Sequence, residues 1–149
     1  MLKKIRSSLA PKQVINAMVT LYHQRKIADV LARAPKILEE YPNTPTLYNI
    51  LGVIYFQKGM KKEAENYFRK SIDLLPNDTN ALNNLGNLYK IEKKYKEAIL
   101  NYERAISIEP DYFKAYVNLF FIFQLKKDIT KSEKLIEKVI KNLNTIPKK

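Results

Sequence analysis

Apolar residues recur along the chain at i, i+3, i+4 and i+7, in blocks interrupted by prolines and short lysine-rich stretches. Between Thr79 and Tyr112, Leu82, Leu85, Gly86 and Tyr89 fall on one stripe of a helix. After a turn over residues 91–94, Ala98, Tyr102, Ala105 and Ile106 make a second stripe, and Pro110 stops that helix. Small residues of one helix thus stand opposite large residues of the other. Gly86 has no side chain and lets the neighbouring helix come close, which offsets the roughly 1 kcal/mol that a mid-helix glycine costs.

The same columns return at one fixed spacing, the distance in sequence from Leu51 to Leu85. Leu51, Leu85 and Leu119 share one column, and Tyr48, Leu82 and Tyr116 share the column three positions earlier. Gly52 and Gly86 follow the leucines, Ala64 and Ala98 align with Ser132, and Pro42, Pro76 and Pro110 close successive blocks. So many coincidences at one spacing define an internal repeat. The outer blocks are degenerate. In the first, Val14, Ala17, Met18 and Leu21 form one stripe, and Ile27, Val30, Leu31, Ala34, Ile37 and Leu38 form the other. Pro35 lies inside the second of these helices and predicts a bend near Leu31. In the last block Phe120 replaces the glycine, and Phe120, Phe121, Ile122 and Phe123 are consecutive, so they cannot all face one side of a helix. Some apolar surface there is left for another element, subunit or domain. The closing helix, about 129–142, alternates Lys and Glu with Leu135, Ile136, Val139 and Ile140, as suits a terminal repeat.

This pattern resembles the tetratricopeptide repeat family, with Tyr or Leu in the usual tryptophan column. The resemblance implies an all-α, right-handed solenoid of antiparallel helix pairs. It divides the chain into a basic segment 1–10, a degenerate repeat 11–44, full repeats 45–78 and 79–112, a degenerate repeat 113–146 and a tail 147–149. It also implies a non-catalytic interaction module or scaffold that binds a partner's peptide segment along the first helices of the repeats. Candidate groove residues are Asn16, Asn49, Asn80, Asn83, Asn84, Asn87, Lys114, Asn118 and Phe121, with Tyr22 and Phe56 as further apolar contacts. Four asparagines at 80, 83, 84 and 87 share one helix face although each costs about half a kcal/mol against alanine, and side-chain amides suit a peptide backbone. The column Asn16, Ile50, Asn84, Asn118 is similar to the asparagine ladder of O-linked GlcNAc transferase, broken at Ile50. A co-chaperone carboxylate clamp fits only at Asn84 and Lys114 of the set Asn49, Val53, Asn84, Lys114 and Asn118, which argues against chaperone-tail binding. Alternative readings are an N-terminal targeting segment of a larger glycosyltransferase, sulfotransferase or oxygenase, or a scaffold that self-assembles through its end repeats.

Composition narrows the chemistry. The net charge is +12, and 22 of the 27 basic residues are lysine, which binds phosphate less specifically than arginine. The lysines gather at the turns inside the repeats, giving a basic edge of Lys58, Lys61, Lys62, Lys90, Lys93, Lys94, Lys96, Lys126 and Lys127. Acidic residues occupy the turns between repeats. The expected partner is therefore another protein or peptide, acidic ones included, or a second copy through the end repeats. Nucleic acid and membrane are disfavoured, since no aromatics interleave with the lysines and no apolar run has the length of a membrane span. No cysteine, a single histidine at His23 and the lack of a phosphate-binding glycine loop leave no catalytic, metal or cofactor site, so no cofactor and no enzymatic activity are expected. The absence of a signal-peptide pattern makes a cytoplasmic location the default expectation.

Overall fold

A computed structural model describes residues 9–145, with side chains through Asn142. The basic residues Lys3, Lys4 and Arg6 and the tail 147–149 lie outside the described residues. Among the described residues the regular elements are eight helices: α1 (Lys12–His23), α2 (Ile27–Glu40), α3 (Pro45–Gln57), α4 (Lys61–Leu74), α5 (Thr79–Ile91), α6 (Tyr95–Ile108), α7 (Phe113–Leu125) and α8 (Ile129–Thr145). They make four antiparallel pairs in two compact units, α1 to α4 in one and α5 to α8 in the other, divided between Pro76 and Asn77.

The turn inside each pair has one geometry. Arg25, Gly59, Lys93 and Lys127 stand one repeat apart, and each has a left-handed backbone, with φ of 58°, 77°, 60° and 53°. The N–H of each donates to the carbonyl three residues back, and the following N–H donates to the carbonyl five residues back, at 2.9 to 3.1 Å. This double closure satisfies carbonyls that the helix end would otherwise leave open. Only Gly59 takes up the left-handed conformation without a Cβ penalty.

Interhelix packing rests on large against small. In the first unit a Cβ added at Gly52 would lie 2.5 Å from the Phe68 ring, and in the second a Cβ at Gly86 would lie 2.6 Å from the Tyr102 ring. Both aromatic side chains are fully buried. In the α1–α2 pair the sizes are reversed, with Met18 in the glycine column and Ala34 in the aromatic one. Both belong to the core of the first unit with Val30, Leu47, Ile50, Leu51 and Ile54. In the last pair Phe120 meets Ile136 in the same columns. Both are large, and they remain 37% and 46% exposed.

One detail differs from the sequence expectation. Ala17 is exposed rather than part of the α1 stripe, because it lies with Gln13 and Thr20 on a face of α1 that no other helix of its unit covers. Pro35 stands inside α2, which runs on to Glu40 with Val30 and Ala34 buried. The consecutive apolar residues of α7 divide between two faces. Ile122 and Phe123 are buried, whereas Phe120 and Phe121 are exposed.

Three substitutions test this account. Gly86→Ala is expected to cost about 1–3 kcal/mol in urea unfolding, because the methyl overpacks against Tyr102. Gly59→Ala meets no neighbour and should cost about 1 kcal/mol through backbone strain alone. Lys93→Gly should hold stability level or raise it by up to about 1 kcal/mol, the reverse of a mid-helix glycine.

Candidate functional site

The odd-numbered helices α1, α3, α5 and α7 contain no aspartate or glutamate, so all 15 acidic residues lie in the even-numbered helices and the connecting turns. Lys12, Lys90, Lys114 and His23 are the basic residues of the odd helices. Several acids outside them have local tasks. Asp78 caps α5 by accepting from the N–H groups of Asn80 and Ala81 at 3.0 and 3.2 Å. Glu109 accepts from the hydroxyl of Thr79 at 2.8 Å. Asp128 accepts from the N–H of Lys131 at the start of α8, and its carboxyl pKa is lowered chiefly by that bond.

In the second unit the structure joins most of the expected groove asparagines into internal hydrogen bonds. The Tyr102 hydroxyl donates to Asn87 Oδ1 at 2.8 Å, and the Tyr112 hydroxyl donates to Asn80 Oδ1 at 3.0 Å. Asn118 Nδ2 of α7 donates to Asn83 Oδ1 of α5 at 3.0 Å. The carbonyl ends of Asn80, Asn83 and Asn87 therefore hold tyrosines and a neighbouring helix in place. Asn83 is buried, Asn84, Asn87 and Asn118 are half-buried, and Asn80 is exposed. A periodic reading assigns Tyr102 to packing and Asn87 to the groove and misses their pairing. A signal for it is present, since one repeat earlier the equivalent residues are Phe68 and Val53. The hydroxyl and its acceptor are present together or absent together.

Lys90 moves from the basic edge to this network. Its ammonium donates to Asn118 Oδ1 at 2.6 Å and lies 5.4 Å from the centre of the Phe121 ring. Partial burial lowers its pKa. The chain Asn83–Asn118–Lys90 thus aims a partly desolvated cation beside Phe121, which is 52% exposed. Lys114, also exposed on α7, lies 6.0 Å from the centre of the Tyr112 ring.

The other candidates are less concentrated. Asn16 is exposed on α1, and Asn49, Tyr22 and Phe56 are half-buried in the first unit. Lys58, Lys61, Lys62, Lys93, Lys94, Lys96, Lys126 and Lys127 are exposed at or beside the intrapair turns. Lys94 also pairs with Glu92 at 2.8 Å. His23 is exposed, its ring 5.6 Å from that of Tyr22. Among the described residues no group of three His, Cys, Asp or Glu side chains is placed to hold a metal ion, and no helix is long and apolar enough to cross a membrane.

Paired antiparallel helices that recur at a fixed sequence period define a helical repeat protein. Residues 45–78 and 79–112 each match the family model described as tetratricopeptide repeat, and the chain is a tetratricopeptide repeat protein. Solved structures share the fold. The crystal structure of MamA superposes with a TM-score of 0.78 at 22% identity, over 87% of this chain and 76% of that one. Pseudomonas aeruginosa pilF gives 0.74 at 20% identity, over 85% of this chain and 58% of that one. The first TPR of Spaghetti (RPAP3), bound to HSP90 peptide SRMEEVD, gives 0.69 at 24% identity, over 77% of this chain and 92% of that one. No curated protein sequence matches this chain. Proteins of this family generally act as protein–protein interaction modules and are typically non-catalytic.

The buried hydroxyl supplies two tests. Asn87→Ala leaves the Tyr102 hydroxyl without its acceptor and should cost about 1–3 kcal/mol. The paired change Asn87→Val with Tyr102→Phe, which copies the preceding repeat, should recover most of that loss in urea unfolding. Burial also raises the Tyr102 pKa well above the ordinary tyrosine value near 10. The unfolded chain ionises this phenol first, so stability is complete below about pH 10 and falls as the pH rises beyond it. Tyr102→Phe should flatten that fall, measured as unfolding free energy against pH.

Proposed function

We propose that the chain is a non-catalytic interaction module that binds an extended, acidic segment of a partner protein on the α5–α7 face of its second unit. The absence of acidic residues from the odd-numbered helices carries this reading. A face that repels nothing anionic and presents Lys90 and Lys114 favours a partner's carboxylates. Lys90 is the principal charge. Its ammonium is already partly desolvated and positioned by Asn118, so pairing with a carboxylate requires little further ordering.

Phe121 would supply an adjoining apolar contact, and the amides of Asn80, Asn83, Asn84, Asn87 and Asn118 would hold the segment's backbone. Of these, the Nδ2 groups of Asn80, Asn83 and Asn87 suit backbone carbonyls, because their Oδ1 atoms serve the internal bonds. Asn16 and Asn49 would play the same part on the first unit. The lysine-rich intrapair turns would keep the array soluble and draw an acidic partner in at long range.

Photo-crosslinking in native lysate tests the proposal. Benzoylphenylalanine at Phe121 or Lys114 should capture a partner, whereas the same probe at Lys70 or Lys138 on the even-numbered helices should not. Lys90→Gln should lower the yield from Phe121 severalfold with an unchanged helical circular dichroism spectrum, and added salt should do the same. Equal capture from both sets of helices would exclude the odd-helix face as the binding surface.

A further inference from the structure

A second surface lies at the other end of the second unit. Phe113, Val117 and Phe120 of α7 and Ile136, Val139 and Ile140 of α8 line an apolar groove of about 240 Å³. Val117 is 68% exposed and Ile140 53%. The mismatch of Phe120 with Ile136 explains why the groove is open, since two large side chains meet in columns where other pairs set a small residue against a large one. Asn142 secures the far end of α8 by donating to the carbonyl of Pro110 at 2.8 Å and to the Tyr116 hydroxyl at 2.6 Å.

The repeat shows what such a groove receives. Moved back by one repeat, these six residues become Thr79, Asn83, Gly86, Tyr102, Ala105 and Ile106, all of them buried. These residues belong to α5 and α6, the two helices on which α7 lies. The occupant of that seat, α7, buries Ala115, Leu119 and Ile122, which stand at i, i+4 and i+7. In the first unit α3 lies on α1 and α2 with Leu47, Leu51 and Ile54 buried at the same spacing. The groove between α7 and α8 therefore continues an interface that the protein already uses within its own units.

The helix faces that fill such a seat within the chain are not free to fill it in a second copy. In α3, α5 and α7 the three positions are already buried, the α5 set being Ala81, Leu85 and Leu88. In α1 they are free, but they are Gln13, Ala17 and Thr20. A polar face of that kind does not fit an apolar seat.

We infer that the α7–α8 groove is a docking site for an amphipathic helix of a partner protein, with apolar side chains at i, i+4 and i+7 and a polar opposite face. The helix lies between α7 and α8 as α7 lies on α5 and α6. This surface is separate from the α5–α7 face of the proposed peptide site, and either can fail without the other.

A labelled peptide of residues 113–125 is the probe, because within the chain these residues form the helix that fills the equivalent seat. In the peptide Val117→Glu, Phe120→Lys and Phe121→Glu make the outward face soluble. Fluorescence anisotropy with the full chain should show saturable binding. Val117→Glu or Ile140→Glu in the full chain should weaken it about tenfold or more with an unchanged circular dichroism spectrum, and Leu119→Glu in the peptide should abolish it. No saturable binding, or binding indifferent to both groove variants, overturns the inference. A concentration-dependent dimer in sedimentation that Val117→Glu dissolves also overturns it, by assigning the groove to a second copy.

Discussion

The close approach of a glycine to an aromatic ring is the constraint on which each central helix pair depends. At Gly52 and Gly86 there is no room for a methyl group, because the faces of Phe68 and Tyr102 occupy it. The two helices can then come near enough for alanines at Ala64, Ala98 and Ala105 to be fully buried between larger neighbours. Close packing in protein interiors leaves little tolerance for altered volume, and the outer pairs show both ways of answering it. Met18 with Ala34 exchanges the roles and keeps the fit. Phe120 with Ile136 keeps two large residues and gives up the fit.

Once that approach sets the helices, polar groups near the seam need partners within reach. Tyr102 carries its hydroxyl to Asn87 on the adjoining helix, and Asn83 and Asn118 bridge α5 to α7. Such bonds combine specificity with a constraint, since an unpaired buried group costs more than a made bond contributes. They also prepare the surface proposed for binding. Asn118 joins Asn83 on one side and Lys90 on the other, so the position of the cation follows from the way α7 lies on α5.

The architecture was legible in the sequence because it is periodic. Leu85, Gly86, Ala98 and Pro110 each have counterparts in a neighbouring repeat, and packing imposes the same demand on each. The turn conformation was legible only at Gly59, since Arg25, Lys93 and Lys127 adopt a left-handed backbone that their residue types do not advertise. The site was legible in composition and much less in connectivity. A helical wheel places Asn80, Asn83, Asn84 and Asn87 together, but their partners Tyr112 and Asn118 come from distant parts of the chain. Lys90 was the clearest displacement. In sequence it stands in the last turn of α5, just before the lysine-rich turn, and its neighbours in space are Asn118 and Phe121. A column by column reading compares a residue with its equivalents and does not see what lies across the seam.

The mismatch of Phe120 with Ile136 also bears on how the second unit holds together over time. In a repeat array, stability is shared between the pairs themselves and the interfaces joining them. A pair lacking the glycine–aromatic lock has a looser internal interface than α5 with α6, so α7 and α8 are expected to open at less expense in free energy than α5 and α6. Binding on the outer groove would then act as a closing clamp on that fluctuation. By mass action, the ligand would lengthen the life of the terminal pair as well as occupy it.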